Sequence, residues 1–317
     1  MELWMIMAAG LVMLAVGGDL LVRGAASAAS RLGVSRLVIG LTVVGFGTSM
    51  PELVTSLRAA FGGSPGIAIG NIVGSNISNV LLVLGATALI TPLVVDRRAF
   101  RRDAAALALA TAGLAWALLQ GRLTREMGVV GFVLLLVYLL IVWLMERRRP
   151  DAEGARIAAA VAGRPGGAGL WLALPMAAVG IGITIYGAHL MVGGAVTLAR
   201  TLGVSDTVVG LTIVALGTSL PELVTSLVAA LRKQGEVALG NVVGSNLYNS
   251  LGILGLTAAV RPVDVPPAIA HVDVWVMVAA TGLMILLIQR RDQITRGEGL
   301  LLLTGYAGYM TWLVLSA

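Results

Sequence analysis

Apolar residues dominate the chain in long runs that polar residues interrupt only briefly. Most runs are about 20 residues long, enough for one helix to cross a hydrocarbon core of about 30 Å. Backbone groups inside a bilayer must bond to one another, so such runs favour helices. The pattern predicts ten membrane helices at approximately 4–29, 36–60, 66–91, 103–120, 126–146, 169–199, 206–231, 237–260, 268–289 and 298–316.

One long polar stretch divides the apolar runs into two sets of five. It contains Arg147-Arg148-Arg149-Pro150-Asp151 and is too short for a folded domain. We therefore expect three parts: a first five-helix repeat at 1–146, a connecting loop at 147–168, and a second five-helix repeat at 169–317.

The two sets are copies of one sequence unit. The motif Gly-Thr-Ser-x-Pro-Glu-Leu surrounds both Glu52 and Glu222, and Gly-Asn-x-x-Gly-Ser-Asn-x-x-Asn ends at both Asn79 and Asn249. Both pairs are 170 residues apart, and a fixed spacing of this kind indicates a duplicated unit. Because five is an odd number, the second copy enters the membrane from the opposite side. The sequence thus predicts an all-α membrane protein built from two inverted repeats.

Composition supports a membrane protein and excludes several other classes. Hydrophobic residues make up 58% of the chain and charged residues 12%, and the mean hydropathy is +0.94. The net charge of +6 does not indicate a nucleic-acid partner, because the basic residues lie at the ends of apolar runs. The chain has no cysteine, which excludes disulfides and thiolate metal ligands.

The basic residues also predict the orientation of the helices. Sixteen of them fall in one set of alternate loops and five in the other. Loops rich in Arg and Lys stay in the cytoplasm, so we expect a cytoplasmic 147–168 loop and both termini outside the cell membrane. The first run lacks a basic n-region and a cleavage site, so we expect it to remain as a helix.

Glu52 and Glu222 are the acidic residues that most need an explanation. A carboxylate near the bilayer centre costs about 2.5–3.5 kcal/mol, and such residues mark ion or proton paths. Two other groups of acids have simpler interpretations. Asp19 lies four residues before Arg23, a spacing that predicts a local ion pair. Asp103 and Asp273 lie near the predicted starts of two helices, where we expect them to act as caps.

The residues around each glutamate offer many oxygen atoms. Pro51 and Pro221 have no N–H, so each frees a carbonyl in the preceding turn. Hydroxyl and amide side chains lie nearby at helical spacings: Thr48, Ser49, Ser75, Asn79, Thr218, Ser219, Ser245 and Asn249. Oxygen ligands fit Ca²⁺, Na⁺ or Mg²⁺ better than copper or zinc. Alternatively, these groups bond helices together, with Gly70, Gly74, Gly240 and Gly244 allowing close approach.

The duplicated motifs resemble the alpha-repeats of sodium/calcium exchangers, in the prokaryotic type of the calcium:cation antiporter superfamily. The resemblance implies ten helices and alternating access. It also implies Ca²⁺ between Glu52 and Glu222 with help from the Thr48 and Thr218 carbonyls. Implied Na⁺ sites use Ser49, Ser75, Ser219 and Ser245, with Asn79 and Asn249 at the centre.

One position departs from part of the family. Some relatives, including potassium-dependent exchangers, carry Asp where this chain has Asn249. An amide keeps the oxygen ligand and removes a charge, so we expect that K⁺ is not cotransported.

The leading functional hypothesis is an antiporter that exchanges Na⁺ for Ca²⁺. A Ca²⁺/H⁺ antiporter is the alternative, although proton-coupled relatives resemble Gly-Asn-x-x-Glu at the acidic helix. A cation channel is a weaker alternative, since paired carboxylates in inverted repeats suit alternating access. No repeated Ser-His or His-His constellation suggests an enzyme. We expect a functional monomer in the lipid bilayer, with no cofactor besides the transported ions.

Overall fold

The computed structural model of the chain describes residues 2–95, 97–147, 170–202 and 215–316. Over these residues the chain is predominantly helical, as predicted. Where the structure describes them, the predicted apolar segments are helical apart from single residues at their ends and at two internal breaks. The first part of the segment predicted at 206–231, up to residue 214, lies outside the described residues. The predicted 147–168 loop lies outside the described residues except for its first residue.

The helices follow one another with short connections. In the first half they are α1 (Glu2–Leu32), α2 (Arg36–Ile39), α3 (Gly45–Thr48), α4 (Met50–Phe61), α5 (Pro65–Ser78), α6 (Gly85–Ile90), α7 (Arg97–Leu119) and α8 (Arg125–Arg147). In the second half they are α9 (Leu170–Thr201), α10 (Ala215–Thr218), α11 (Leu220–Leu231), α12 (Gly235–Leu247), α13 (Leu254–Val260), α14 (Val274–Arg291) and α15 (Arg296–Ser316). The π-helical segments of the described chain are Gly40–Val44, Asn79–Leu84, Tyr248–Ile253 and Ile269–Asp273.

Several of these helices can cross a membrane by length and composition. Within the described ranges, six spans qualify: Leu3–Leu32, Pro65–Ile90, Phe100–Leu119, Arg125–Met145, Leu170–Leu198 and Ile269–Arg291. The bent pair Arg36–Thr48 and Met50–Phe61 makes a seventh if it counts as one span. The chain is therefore a multi-pass membrane protein.

The first helix of each half packs closely against the other. Glycines recur every seven residues along α1 and α9, and Gly17 and Gly180 lie at their contact. A Cβ on Gly17 would lie 2.6 Å from the backbone nitrogen of Thr184, and one on Gly180 would lie 2.4 Å from that of Leu21. These distances leave no room for a side chain, so glycine sets the approach of the two backbones.

A second close contact brings α12 against the first half. A Cβ on Gly240 would lie 2.4 Å from the Leu37 carbonyl oxygen, and one on Gly244 would lie 2.3 Å from that of Leu41. The expectation that these two glycines allow close helix approach is confirmed. The residues that would mirror this contact beside Gly70 and Gly74, 207–211, lie outside the described residues.

Two small antiparallel sheets correct the prediction that the chain is all-α. Strand β1 (Leu93–Val94) pairs with β4 (Gln293–Ile294), and β2 (Arg122–Leu123) pairs with β3 (Val263–Asp264). Each sheet joins a loop of one half to a loop of the other. Strands this short carry no detectable alternation of apolar and polar residues, so the sequence pattern missed them.

The capping roles expected for Asp103 and Asp273 were wrong. Asp103 lies inside α7, is fully buried, and accepts a hydrogen bond of 2.8 Å from the Tyr138 hydroxyl. Asp273 makes no side-chain capping bond and accepts a hydrogen bond of 2.9 Å from the Tyr309 hydroxyl. Each aspartate therefore ties its helix to the next helix of the same half.

The ion pair expected between Asp19 and Arg23 is confirmed at 2.9 Å. Asp19 also pairs with Arg232, which follows α11 in the other half. The sequence spacing found the local partner and missed the distant one, since only the fold brings Arg232 near α1.

Candidate cation site

Both glutamates follow a break in a membrane helix. Ser49 separates α3 from α4 with φ −83° and ψ 6°, and the helical run Arg36–Thr48 meets α4 at an angle of 43°. Ser219 has nearly the same backbone, with φ −88° and ψ 4°. Pro51 and Pro221 occupy the first turn after each break, where a missing N–H is tolerated and a preceding carbonyl loses its donor.

The two carboxylates are buried and close enough for their charges to interact. The Ser75 hydroxyl donates to Glu52 Oε1 at 3.4 Å, and the Ser49 hydroxyl donates to Glu222 Oε1 at 3.3 Å. The Ser219 hydroxyl in turn donates to Ser75 Oγ at 3.4 Å. A serine of the first half thus donates to each acid, and a serine of the second half bonds to one of these two serines. Among the described residues neither glutamate has a basic ion-pair partner.

Asn71 and Asn241 hold the helix segments that carry the glutamates. The Asn71 amide nitrogen donates to the Glu52 backbone carbonyl at 3.2 Å, and that of Asn241 donates to the Glu222 carbonyl at 3.3 Å. Their Oδ1 atoms accept hydrogen bonds from threonines of the opposite half, of 3.4 Å from Thr218 and 3.0 Å from Thr48. The arrangement repeats across the two halves and links them at the break.

Thr48 of the first half and Ser245 of the second half lie next to each other. Thr48 Oγ1 lies 3.4 Å from Ser245 Oγ, and the Ser245 hydroxyl donates to the Gly45 carbonyl at 3.3 Å. Both side chains are buried, whereas Thr218 is only partly buried.

Asn79 and Asn249 lie where α-helical geometry changes. Asn79 opens one π-helical segment, and Asn249 is the second residue of another. The side chain of Asn79 donates to Asn246 Oδ1 at 3.0 Å, and that of Asn249 donates to Asn76 Oδ1 at 3.1 Å. Single turns of π-helix are frequent at functional sites because they redirect side chains within a helix.

Four buried oxygen atoms of this site accept no hydrogen bond from the described residues. They are Oε2 of Glu52, Oε2 of Glu222, Oδ1 of Asn79 and Oδ1 of Asn249. An unpaired buried acceptor is costly, and native proteins leave few of them. Two mirrored carboxylates and two mirrored amides are chemically suited to surround a hard cation.

Each of the ten predicted site residues takes part in at least one hydrogen bond, and in the described chain the bonds of Asn79 and Asn249 form a group separate from those around the glutamates. These bonds also involve asparagines outside the predicted set, namely Asn71, Asn76, Asn241 and Asn246. The signal that could have found them was present, because each lies in the duplicated motif and returns after 170 residues.

Comparisons with known proteins agree with this geometry. The family model described as sodium/calcium exchanger protein matches residues 2–145 and 172–315. Two similar relatives are CaxA of Alkalimonas amylolytica, described as a candidate antiporter, and the sodium/calcium exchanger MaX1 of Methanosarcina acetivorans. CaxA is 40% identical over 95% of both chains, and MaX1 is 33% identical over 97% of both.

A solved structure is also similar to this chain in both fold and sequence. The sodium-calcium exchanger NCX_Mj, soaked with Na⁺ and Ca²⁺, superposes with a TM-score of 0.83 at 32% identity over 98% of each chain. With a family match over both halves and relatives of this similarity along nearly the whole length, the chain belongs to the sodium/calcium exchanger family.

Proposed function

We propose that the chain is a secondary active antiporter that exchanges Na⁺ for Ca²⁺ across the membrane. Its cation site lies between the two halves and opens alternately to each side. Glu52 and Glu222 bind Ca²⁺ with help from the Thr48 and Thr218 carbonyls. Na⁺ is bound with Ser49, Ser75, Ser219 and Ser245, and Asn79 and Asn249 lie at the centre.

The observation that carries this proposal is the set of four unpaired acceptors. Glu52, Glu222, Asn79 and Asn249 each present one buried oxygen without a donor in the described chain, and the four form two mirrored pairs. Other buried atoms of the described chain also lack a partner, such as Asp103 Oδ2 and Thr257 Oγ1, but those atoms have no unpaired counterpart in the other half. Oxygen atoms that serve a cation must stay available for it.

Charge balance explains how one site supports exchange. Two ionised carboxylates balance one Ca²⁺ or two Na⁺, so either load leaves the buried site near neutrality. Holding Ca²⁺ together with several Na⁺ would leave excess positive charge in a medium of low dielectric. Bound Na⁺ therefore favours release of Ca²⁺, and the reverse.

We further propose ten membrane helices in two inverted repeats, 1–146 and 169–317, joined by the 147–168 loop. Loop contacts support this topology. Arg296 donates to the Ile90 carbonyl, and Arg261 donates to the Phe61 carbonyl. Each bond, like each small sheet, joins loops that a ten-helix chain places on the same side of the membrane.

The basic-residue count supports a cytoplasmic connecting loop and both termini outside the cell membrane. We propose a functional monomer, because the site is assembled entirely from the two halves of one chain.

Uptake of radiolabelled Ca²⁺ by proteoliposomes tests the proposal. An outward Na⁺ gradient imposed at constant pH is expected to drive saturable Ca²⁺ uptake. A pH gradient imposed without Na⁺ is expected to drive none. Uptake driven only by pH would replace the proposal with Ca²⁺/H⁺ exchange, and Ca²⁺ flux that needs no counter-ion would indicate a channel.

A further inference from the structure

Four asparagines form a chain of hydrogen bonds between the two halves. Asn76 and Asn246 are 170 residues apart, as are Asn79 and Asn249. Asn79 bonds to Asn246, and Asn249 bonds to Asn76, so each bond crosses from one half to the other. Asn246 and Asn76 also bond to each other, since the Asn246 amide nitrogen donates to the Asn76 backbone carbonyl at 3.3 Å.

The backbone carbonyl of Asn76 determines which way the Asn246 amide points. A carbonyl oxygen can only accept, so Asn246 must turn its nitrogen toward it. Asn246 Oδ1 then faces Asn79 and can only accept, so Asn79 must turn its own nitrogen toward Asn246. The Asn79 Oδ1 atom is consequently left buried and without a donor from the described chain.

Different groups orient the side-chain amide of Asn76. The Asn76 amide nitrogen donates to Ser250 Oγ at 2.9 Å and lies 3.6 Å from Met277 Sδ. A thioether sulfur has no hydrogen to donate, so it favours the nitrogen of Asn76 over its oxygen. Asn76 Oδ1 therefore accepts from Asn249, and the Asn249 Oδ1 atom is left unpaired among the described residues.

We propose that Asn76 and Asn246 are positioning residues, which orient the amides of Asn249 and Asn79 so that both present oxygen to the transported cation. This inference rests on the proposed function. A free asparagine amide can turn either its NH₂ group or its oxygen toward a neighbour, and the NH₂ group would repel a cation. The chain of bonds excludes that orientation.

The crossing of the bonds has a consequence for exchange. Asn246 belongs to the second half and orients a ligand of the first, while Asn76 does the reverse. The central oxygens are therefore correctly directed only while the two halves hold this relative position.

The groups that orient Asn246 and Asn76 also differ in how firmly they fix the amide. Asn246 is oriented by a backbone carbonyl, which cannot reverse its role. Asn76 is oriented partly by the Ser250 hydroxyl, which can donate as well as accept, and the positions that mirror Ser250 and Met277 are Val80 and Leu107. Removing the Ser250 hydroxyl should therefore disturb the amide orientation of Asn249 only mildly. Removing Asn246 should disturb that of Asn79 strongly.

The test measures the Na⁺ concentration for half-maximal Ca²⁺ exchange in proteoliposomes. Asn246→Leu and Asn76→Leu are each expected to raise it about tenfold, and Ser250→Ala about threefold. The maximal rate at saturating Na⁺ is expected to stay within about twofold of the wild type. The matched control Thr257→Val removes a buried hydroxyl on the same membrane segment as Asn246 and Ser250. It is expected to change neither the half-saturating Na⁺ concentration nor the maximal rate.

A double-mutant cycle separates positioning from a general structural role. If Asn246 acts through Asn79, then Asn246→Leu adds little to the effect of Asn79→Ala on Na⁺ half-saturation. Additive effects would overturn the proposal, as would an unchanged half-saturation in Ser250→Ala and both leucine variants. If a leucine variant fails to fold, the Ser250→Ala result decides. Absence of Na⁺-coupled exchange in the wild type would overturn the proposed function as well.

Discussion

The chain contains two mirrored pairs of membrane acids, and their surroundings differ. Asp103 and Asp273 accept hydroxyls from Tyr138 and Tyr309, each within its own half. Asp103 also pairs with Arg102, whereas neither glutamate has a basic partner among the described residues. Each glutamate keeps one buried oxygen without a donor from the described residues; Asp103 Oδ2 does so as well, but without a mirrored counterpart at Asp273.

A mirrored pair of acids in membrane helices is therefore not enough to indicate transport. The aspartates are bonded in a way that fixes neighbouring helices, since each tyrosine comes from the helix that follows. The glutamates are bonded by weak serine contacts of 3.3 and 3.4 Å, which a cation could replace. The comparison predicts that neutralising a glutamate stops exchange and that neutralising Asp273 does not.

The largest expected effect follows from Glu52→Gln or Glu222→Gln. Either change leaves one carboxylate to balance Ca²⁺, and an uncompensated buried charge costs about 3–5 kcal/mol. Na⁺-driven Ca²⁺ uptake should fall by more than about 100-fold in a protein that still folds. Asp273→Asn is the matched control and should keep uptake within about twofold of the wild type. Wild-type uptake in either glutamine variant would contradict the assignment.

A moderate effect is expected from the serines that contact the acids. Ser49→Ala and Ser75→Ala each remove one donor to a glutamate and one proposed cation ligand, so the half-saturating cation concentrations should rise about three- to tenfold. Exchange assays over a range of Na⁺ and Ca²⁺ would measure this rise. Equal half-saturation in the wild type and both variants would show that these hydroxyls do not face the cation.

A smaller effect, on stability and not on exchange, is expected at the tyrosines. Tyr138→Phe removes the hydroxyl that bonds to buried Asp103 and should destabilise the protein by about 1–2 kcal/mol. Thermal unfolding of the purified protein measures this change, and cation half-saturation should stay the same. A raised half-saturation with unchanged stability would instead place Asp103 in the transport pathway.

The smallest expected effect is that of K⁺. Asn249 carries no charge to balance an additional cation, so replacing K⁺ by choline should leave Na⁺-driven Ca²⁺ exchange unchanged. A requirement for K⁺ would show that an amide at Asn249 does not prevent K⁺ cotransport.

Much of the site was predictable because duplication places matching chemistry at a constant offset. The motifs around Glu52 and Asn79 return 170 residues later, and that regularity identified the residues that the fold brings together. Helix breaks at Ser49 and Ser219 were also predictable, because proline has a direct effect on backbone bonding.

The features that were missed depend on partners distant in sequence. Tyr138 and Tyr309 are 171 residues apart, so a one-residue shift after the aspartates removed them from the regular offset. The amide directions of Asn76 and Asn246 depend on a carbonyl and a sulfur that only the fold brings near. The small sheets depend on loops of opposite halves meeting, which no local pattern records.

The central claim is that one site between Glu52 and Glu222 holds either Ca²⁺ or Na⁺. Equilibrium binding of radiolabelled Ca²⁺ to the purified protein, measured as Na⁺ is raised, tests it most directly. The account predicts that the apparent Ca²⁺ dissociation constant rises with more than the first power of Na⁺ concentration, and that Glu52→Gln abolishes the binding. A dissociation constant that stays constant as Na⁺ rises would contradict a shared site.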